Sequence, residues 1–196
     1  HFQLEKEFLD TQELKGGPLE GIVVIDVCRA VAGPNCTKLL LDLGCRVIKC
    51  ENVGSDSLRR DRPYYAQMNG GKESIKIDFK NENDMALFHR LVGKADILVE
   101  NFRPGVTKKL GISYEDLHDE YPRLIYGSVS GYGQSGPDSK KPAMDVIIQA
   151  SSGLMAISGF NDKPPTGLGA VPADISSGIT AALGIVTALY ERDRSG

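Results

Sequence analysis

Two rhythms of apolar and polar positions run along this chain. Residues 21–27 (GIVVIDV) are a short β-branched run, as expected of a strand buried on both faces. Residues 35–43 then carry apolar side chains at helical spacing and close on Gly44. Residues 45–50 (CRVIKC) predict a second strand, and the alternation of residues 74–79 (SIKIDF) a third with one more polar face. Met85, Leu87, Phe88, Leu91 and Val92 share one side of an amphipathic helix over 82–95. Residues 96–99 and 124–129 predict a fourth and a fifth strand, with helical pieces at 106–110 and 113–121 between them. A long small-residue helix follows over 175–192.

Strands that alternate with helices in this way predict an α/β fold: an open, Rossmann-like, mostly parallel sheet with helices on both faces. Residues 52–71 and 131–143 interrupt the rhythm as long loops, and loops of that length inside a compact domain are commonly functional. In an open parallel sheet ligands bind past the carboxyl ends of the strands. The first strand delivers Arg29-Ala30-Val31-Ala32-Gly33-Pro34 to that edge, where a helix start favours phosphate. The segment is neither GxGxxG nor GxxxxGK[ST], so pattern alone leaves the ligand open.

The 196 residues suffice for one sizeable core or two small ones. A formal net charge of −3, with basic residues spread along the chain, gives no electrostatic case for a nucleic-acid partner. Cys28, Cys36, Cys45 and Cys50 form no CxxC pair and have no histidine near in sequence, so no metal is expected and buried free thiols are the reading. No apolar run approaches the length of a membrane span, and residues 1–17 are too charged for a secretory signal, so they read as a polar leader to a domain at 18–196. The chain starts at His1 and stops just after a strong helical pattern, which suggests a fragment.

Several blocks, in one order, carry a resemblance. They are PLEG (18–21) with VIDVCRAVAGP (24–34), LDLGCRVIKCE (41–51), GKESIKIDFK (71–80) and ADILVENFRPG (95–105). Leu110-Gly111 with YEDL (114–117), PRLIY (122–126), SGYGQSGP (130–137), Asp145 with QASSGLM (149–155), and finally DISSG (174–178) continue the series. From Pro18 onward the chain resembles the family III CoA-transferases. The resemblance implies an enzyme that moves coenzyme A between an acyl-CoA and a small carboxylic acid. The nucleophile would be Asp174, preceded by Ala173 and followed by Gly178. For CoA it implies Ala30, Val31 and Ala32 at the end of the first strand, Lys80, Asn101 and Phe102, and the basic Lys109. On residue chemistry alone, Asp174 reads as an N-cap before it reads as a nucleophile, and the lysines are equally solvated ends of elements.

Two departures matter. Where formyl-CoA transferases carry an arginine after the glutamate of the VIKxE block, this chain has Asn52, which weakens that contact or shifts it to Arg59 or Arg60. Racemases of the same superfamily deprotonate the α-carbon with a histidine just before the aspartate that matches Asp145. Here Met144 stands at that position, and a thioether cannot move a proton. The family also implies a smaller C-terminal domain, absent here, and a threaded homodimer; with no secretory signal in the sequence, a cytoplasmic setting is expected, or a mitochondrial or peroxisomal one in a eukaryote. A racemase-like enzyme and a non-catalytic CoA-binding fragment stand as the alternatives.

Overall fold

The computed structural model describes residues 16–52 and 62–195. Most of the polar leader, and Arg59 and Arg60, lie outside the described residues. The elements run β1 Val23–Asp26, α1 Ala32–Asp42, β2 Arg46–Glu51, α2 Arg62–Asn69, β3 Glu73–Lys76, α3 Glu82–Val92 and β4 Ile97–Glu100. They continue with α4 Val106–Leu110, α5 Tyr114–Leu117, β5 Ile125–Ser128, α6 Asp145–Ser151, a 3₁₀ turn Leu154–Ile157 and α7 Pro172–Ser195.

The five strands form one sheet in the order β3-β2-β1-β4-β5, and every pairing is parallel. The central strands are largely apolar because successive side chains enter different cores. Ile25, Ile48 and Leu98 pack with Phe88 and Leu91 of α3 and Leu117 of α5 on one face. Val24, Val47 and Ile97 pack with Leu40 of α1 and Ala182, Ile185 and Leu189 of α7 on the other. β3, at the edge, is the exposed strand, which explains its polar alternation. The four cysteines are free and buried; burial pushes the Cys36 and Cys45 thiols up to about 12, so both stay protonated and inert.

Three elements differ from the expectation. α2 lies within the stretch read as a loop: Arg62-Pro63-Tyr64-Tyr65 has no apolar helical stripe, and the helix is anchored from outside, with Tyr65 Oη donating to Glu51 at 2.9 Å. α6 is likewise absent from the pattern, since its polar ends flank an apolar run of only three residues, Val146, Ile147 and Ile148, less than one helical turn. α7 begins at Pro172 and, by length and composition alone, could cross a bilayer, which corrects the reading that no apolar run reaches that length. Its Ala182, Ile185 and Leu189 nonetheless pack into the core beside α1.

Candidate active site

The strand order reverses at β1, whose neighbours are β2 on one side and β4 on the other, so the chain segments leaving β1 and β4 diverge around a crevice. Two of the segments singled out in the sequence meet there. Arg29 N–H donates to Asn101 Oδ1 at 2.8 Å, and Asn101 Nδ2 donates back to the Arg29 carbonyl at 2.7 Å. This two-way clasp holds a sharp turn in which Ala30 has φ 57°, a left-handed conformation that an alanine adopts only when its surroundings impose it. The Arg29 guanidinium lies over the Phe102 ring, 5.4 Å from its centroid. No side chain caps α1, whose first turn follows directly at Ala32.

A cleft opens over the carboxyl ends of β1, β2 and β4. Val27, Arg29, Lys49, Glu51, Phe79 and Phe102 contribute to its lining. Lys80, in the turn after β3, and Lys109, on α4, are both exposed beyond this edge. Of the residues implied for CoA, Phe102 lines this cleft, Ala30, Val31 and Ala32 belong to the turn and helix start that Asn101 clasps at Arg29, and the two lysines are exposed. The Asn101 amide is engaged by the Arg29 backbone and so holds the turn.

Beneath the turn sits a charged cluster that the strand pattern does not reveal. Asp26 is fully buried and accepts from Cys28 N–H at 2.8 Å, Thr37 Oγ1 at 2.7 Å and Lys72 Nζ at 2.9 Å. Burial alone would raise the Asp26 carboxyl; the Lys72 and Lys49 ammoniums and the Thr37 hydroxyl outweigh it and hold the group down at about 2. Burial acts the other way on Lys72 and lowers its pKa. Its ammonium is nevertheless well solvated by protein, with Pro34 O at 2.9 Å, Thr37 Oγ1 at 2.8 Å and Asn69 Oδ1 at 3.1 Å beside Asp26. Lys49, 2% exposed, donates to the Cys28 carbonyl at 2.8 Å. Both lysines therefore grip the backbone on either side of the turn, at Cys28 and at Pro34.

Asp174 is the third residue of α7, after Pro172 at the first helical position, so it is not the helix cap. The capping is done from α6: one oxygen of Asp145 accepts Ala173 N–H at 2.8 Å and Asp174 N–H at 3.1 Å. Gln149, one turn further along α6, donates to the other Asp145 oxygen, and its own carbonyl takes Leu168 N–H at 2.9 Å. The Asp174 carboxylate itself is half-buried and makes no hydrogen bond or ion pair among the described residues. Burial, and then the negative charge of Asp145, raise its pKa. A carboxylate denied partners and held beside another negative charge is more reactive than a solvated one.

Sequence reasoning named Asp145 and Gln149 only as motif letters. Their i, i+4 spacing, and the need of a helix that opens on proline to satisfy its next N–H groups, were the signals available. Met144 precedes α6 and is 68% exposed, so no base stands where a racemase needs one. His89 pairs with Tyr121 at 3.2 Å, and His118 stacks on Tyr114. Among the described residues no group of three His, Cys, Asp or Glu side chains could hold a metal.

Known proteins share this sequence and this fold. The chain is 47% identical over 189 residues to the acetyl-CoA:oxalate CoA-transferase of Acetobacter aceti, a match spanning 92% of this chain and 49% of that protein. It is 36% identical over 196 residues to the succinyl-CoA:mesaconate CoA-transferase of Haloarcula hispanica, covering 92% of this chain and 50% of the relative. Among solved structures, a CAIB/BAIF family protein from Brucella suis superposes with a TM-score of 0.89 at 36% identity, over 94% of this chain and 51% of that one. The chain thus spans about half the length of the curated relatives it matches. With the model of CoA-transferase family III matching residues 19–196, this chain belongs to that family.

Proposed function

We propose that this protein transfers CoA from an acyl-CoA to a carboxylic acid, with Asp174 as the covalent nucleophile. One observation carries the reading: a half-buried carboxylate with no partner among the described residues stands at the start of α7, and that helix start packs on the segment which follows β1. Acetyl-CoA as donor and oxalate as acceptor are the first pair to test, on the similarity to the Acetobacter aceti enzyme.

The chemistry balances without a metal or a net proton. The Asp174 carboxylate attacks the thioester carbonyl, the C–S bond breaks, and CoA thiolate leaves behind a mixed anhydride. The thiolate attacks the aspartyl carbonyl and expels the donor carboxylate, which leaves an aspartyl-CoA thioester. The acceptor carboxylate then attacks that thioester, and the same two exchanges in reverse release the new acyl-CoA and regenerate Asp174. In this reading the Ala30-Val31-Ala32 turn meets the CoA chain near its reactive end. Phe102 offers an aromatic face to the adenine or the pantetheine arm. Lys80 and Lys109 meet phosphate, and Asn101 contributes by holding the turn. A homodimer belongs to the same proposal and is supported by the exposed apolar side chains Ile179, Leu183 and Tyr190 on α7.

Chromatography of a mixture of acetyl-CoA, oxalate and the protein at its natural length tests the reading. Oxalyl-CoA and acetate should appear in equal amounts; acetyl-CoA that is merely hydrolysed, or left intact with oxalate and with other small dicarboxylates, refutes it.

Asp145 makes a separate prediction. Asp145→Asn keeps an acceptor for the Ala173 and Asp174 N–H groups but removes the charge that helps raise the Asp174 pKa. Asp174 should then ionise at lower pH, and the acid limb of the exchange rate should move to lower pH. An unmoved limb would mean that Asp145 does not act on Asp174 through its charge.

A further inference from the structure

α7 could in principle lie at many distances from the sheet's carboxyl edge, but one residue brings its first turns into backbone contact with the segment after β1. A Cβ added at Gly178 would stand 2.6 Å from the Ala32 carbonyl oxygen, 2.7 Å from Asn35 Nδ2 and 3.1 Å from Asn35 Cβ. Backbone conformation does not require glycine there, since Gly178 is not among the positive-φ residues. Helix propensity opposes it too, because alanine is the better helix former. The close approach is what remains. Asn35 closes the contact with Nδ2 donating to the Ile175 carbonyl at 3.2 Å, one residue after Asp174. On the opposite side of the same turn, a Cβ at Gly33 would meet Cys28 Sγ at 2.4 Å and Asn101 Cγ at 3.0 Å. The start of α1 is therefore packed closely against Cys28 and Asn101 as well as against α7.

We propose that Gly178 and Asn35 are positioning residues that set the distance between the Asp174 carboxylate and the thioester carried by the Ala30–Ala32 turn. The inference rests on the reading of Asp174 as nucleophile. Ordinary van der Waals contact begins well beyond 2.6 Å, so a methyl group at Gly178 forces α7 and the turn apart. Reacting atoms must come within about 3–3.5 Å, and a displacement of about 1 Å costs on the order of 10²-fold in rate. In this proposal the CoA contacts of the turn, Phe102 and the lysines do not involve α7, so the displacement should leave them intact.

The test is the single-turnover rate of aspartyl-CoA formation from saturating acetyl-CoA, read by rapid quench and hydroxylamine trapping, beside the CoA dissociation constant from calorimetry. Gly178→Ala should slow adduct formation by roughly 10²-fold, with the dissociation constant for CoA within about threefold of the parent protein. Asn35→Ala removes the tether without adding bulk, and it should slow formation by roughly 5–10-fold with the same unchanged affinity. A merely structural role would change affinity and rate together, or neither. Gly178→Ala that reacts at the parent rate, or that loses CoA affinity in proportion to its rate, overturns the inference. Should that variant fail to fold, an unchanged rate in Asn35→Ala overturns it instead. Absence of any Asp174 adduct in the unsubstituted protein overturns the parent reading, and this inference with it, which separates the two failures.

Discussion

Replacing Asp174 with asparagine should abolish CoA exchange and, at neutral pH, make the protein more stable. Asparagine has nearly the same shape but its amide cannot attack a thioester, so the rate should fall by roughly 10³–10⁶-fold, the scale seen when an enzyme loses its nucleophile. The stability effect follows from the Asp174 pKa, raised first by burial and then by Asp145. A carboxyl whose folded pKa lies above its unfolded value favours folding below the unfolded value, and that contribution is lost as pH rises through the folded one. Ionised Asp174 thus weighs against the folded state at neutral pH, and asparagine removes the weight. Thermal melts at pH 7 should place Asp174→Asn above the parent protein, and the gap should close towards pH 3. A helix-stabilising role would give the opposite order, because asparagine would then forfeit a favourable charge near the N-terminus of α7. Lost activity with raised stability is the signature of a group strained for function.

The largest loss of stability is expected from Asp26→Ala. That change leaves the Lys72 and Lys49 ammoniums buried with no countercharge, because Asp26 is the carboxylate that both salt bridges share. Breaking a buried pair from one side typically costs about 3–5 kcal/mol, a large part of the stability of an ordinary domain. Lys72→Met should cost less, since Asp26 keeps Thr37, the Cys28 N–H and Lys49 at 3.9 Å. The double variant Asp26→Ala with Lys72→Met should recover part of the single loss, and only part, because Lys49 stays buried. Urea unfolding of the four proteins gives this cycle directly; additive losses would show that Asp26 and Lys72 do not act as a pair.

The same pair sets an acid limit. A carboxyl held near 2 where its ordinary value is 3.8 contributes roughly 2–3 kcal/mol of stability, present above about pH 4 and lost as pH falls towards 2. Because Lys72 and Lys49 also hold the backbone at Pro34 and Cys28, weakening this cluster should loosen the turn that carries Ala30 before the sheet itself opens.

How much of this was legible in the sequence depended on whether the signal was local. The five strands and the alternation of core faces follow from runs such as Val23-Val24-Ile25 and Ile97-Leu98-Val99, where every side chain is apolar because both faces are covered. Asp174 stands out in the sequence through its setting, and the turn at Ala30 through its place after β1. What remained hidden depends on partners distant in the chain. Asp26 reads as a polar interruption of a strand until Lys72, 46 residues away, is folded onto it. The grip of the Asn101 amide on Arg29, 72 residues away, is not legible from the NF pair in the sequence. Asp174 reads as a helix cap until Asp145 is found doing the capping from α6. Gly178 is one more small residue in a small-residue helix until the Ala32 carbonyl appears against it. Periodicity records which face of an element is buried; it carries no information on which polar group meets which across the fold.

Covalent trapping tests the central claim most directly. The protein at its natural length is mixed with acetyl-CoA, quenched, treated with hydroxylamine and digested, and the modified residue is located by mass spectrometry. The account predicts an intact-mass adduct that retains CoA before treatment, and a hydroxamate on Asp174 afterwards. Exchange of CoA between acids with no modification at Asp174, or with the modification on another residue, would contradict it.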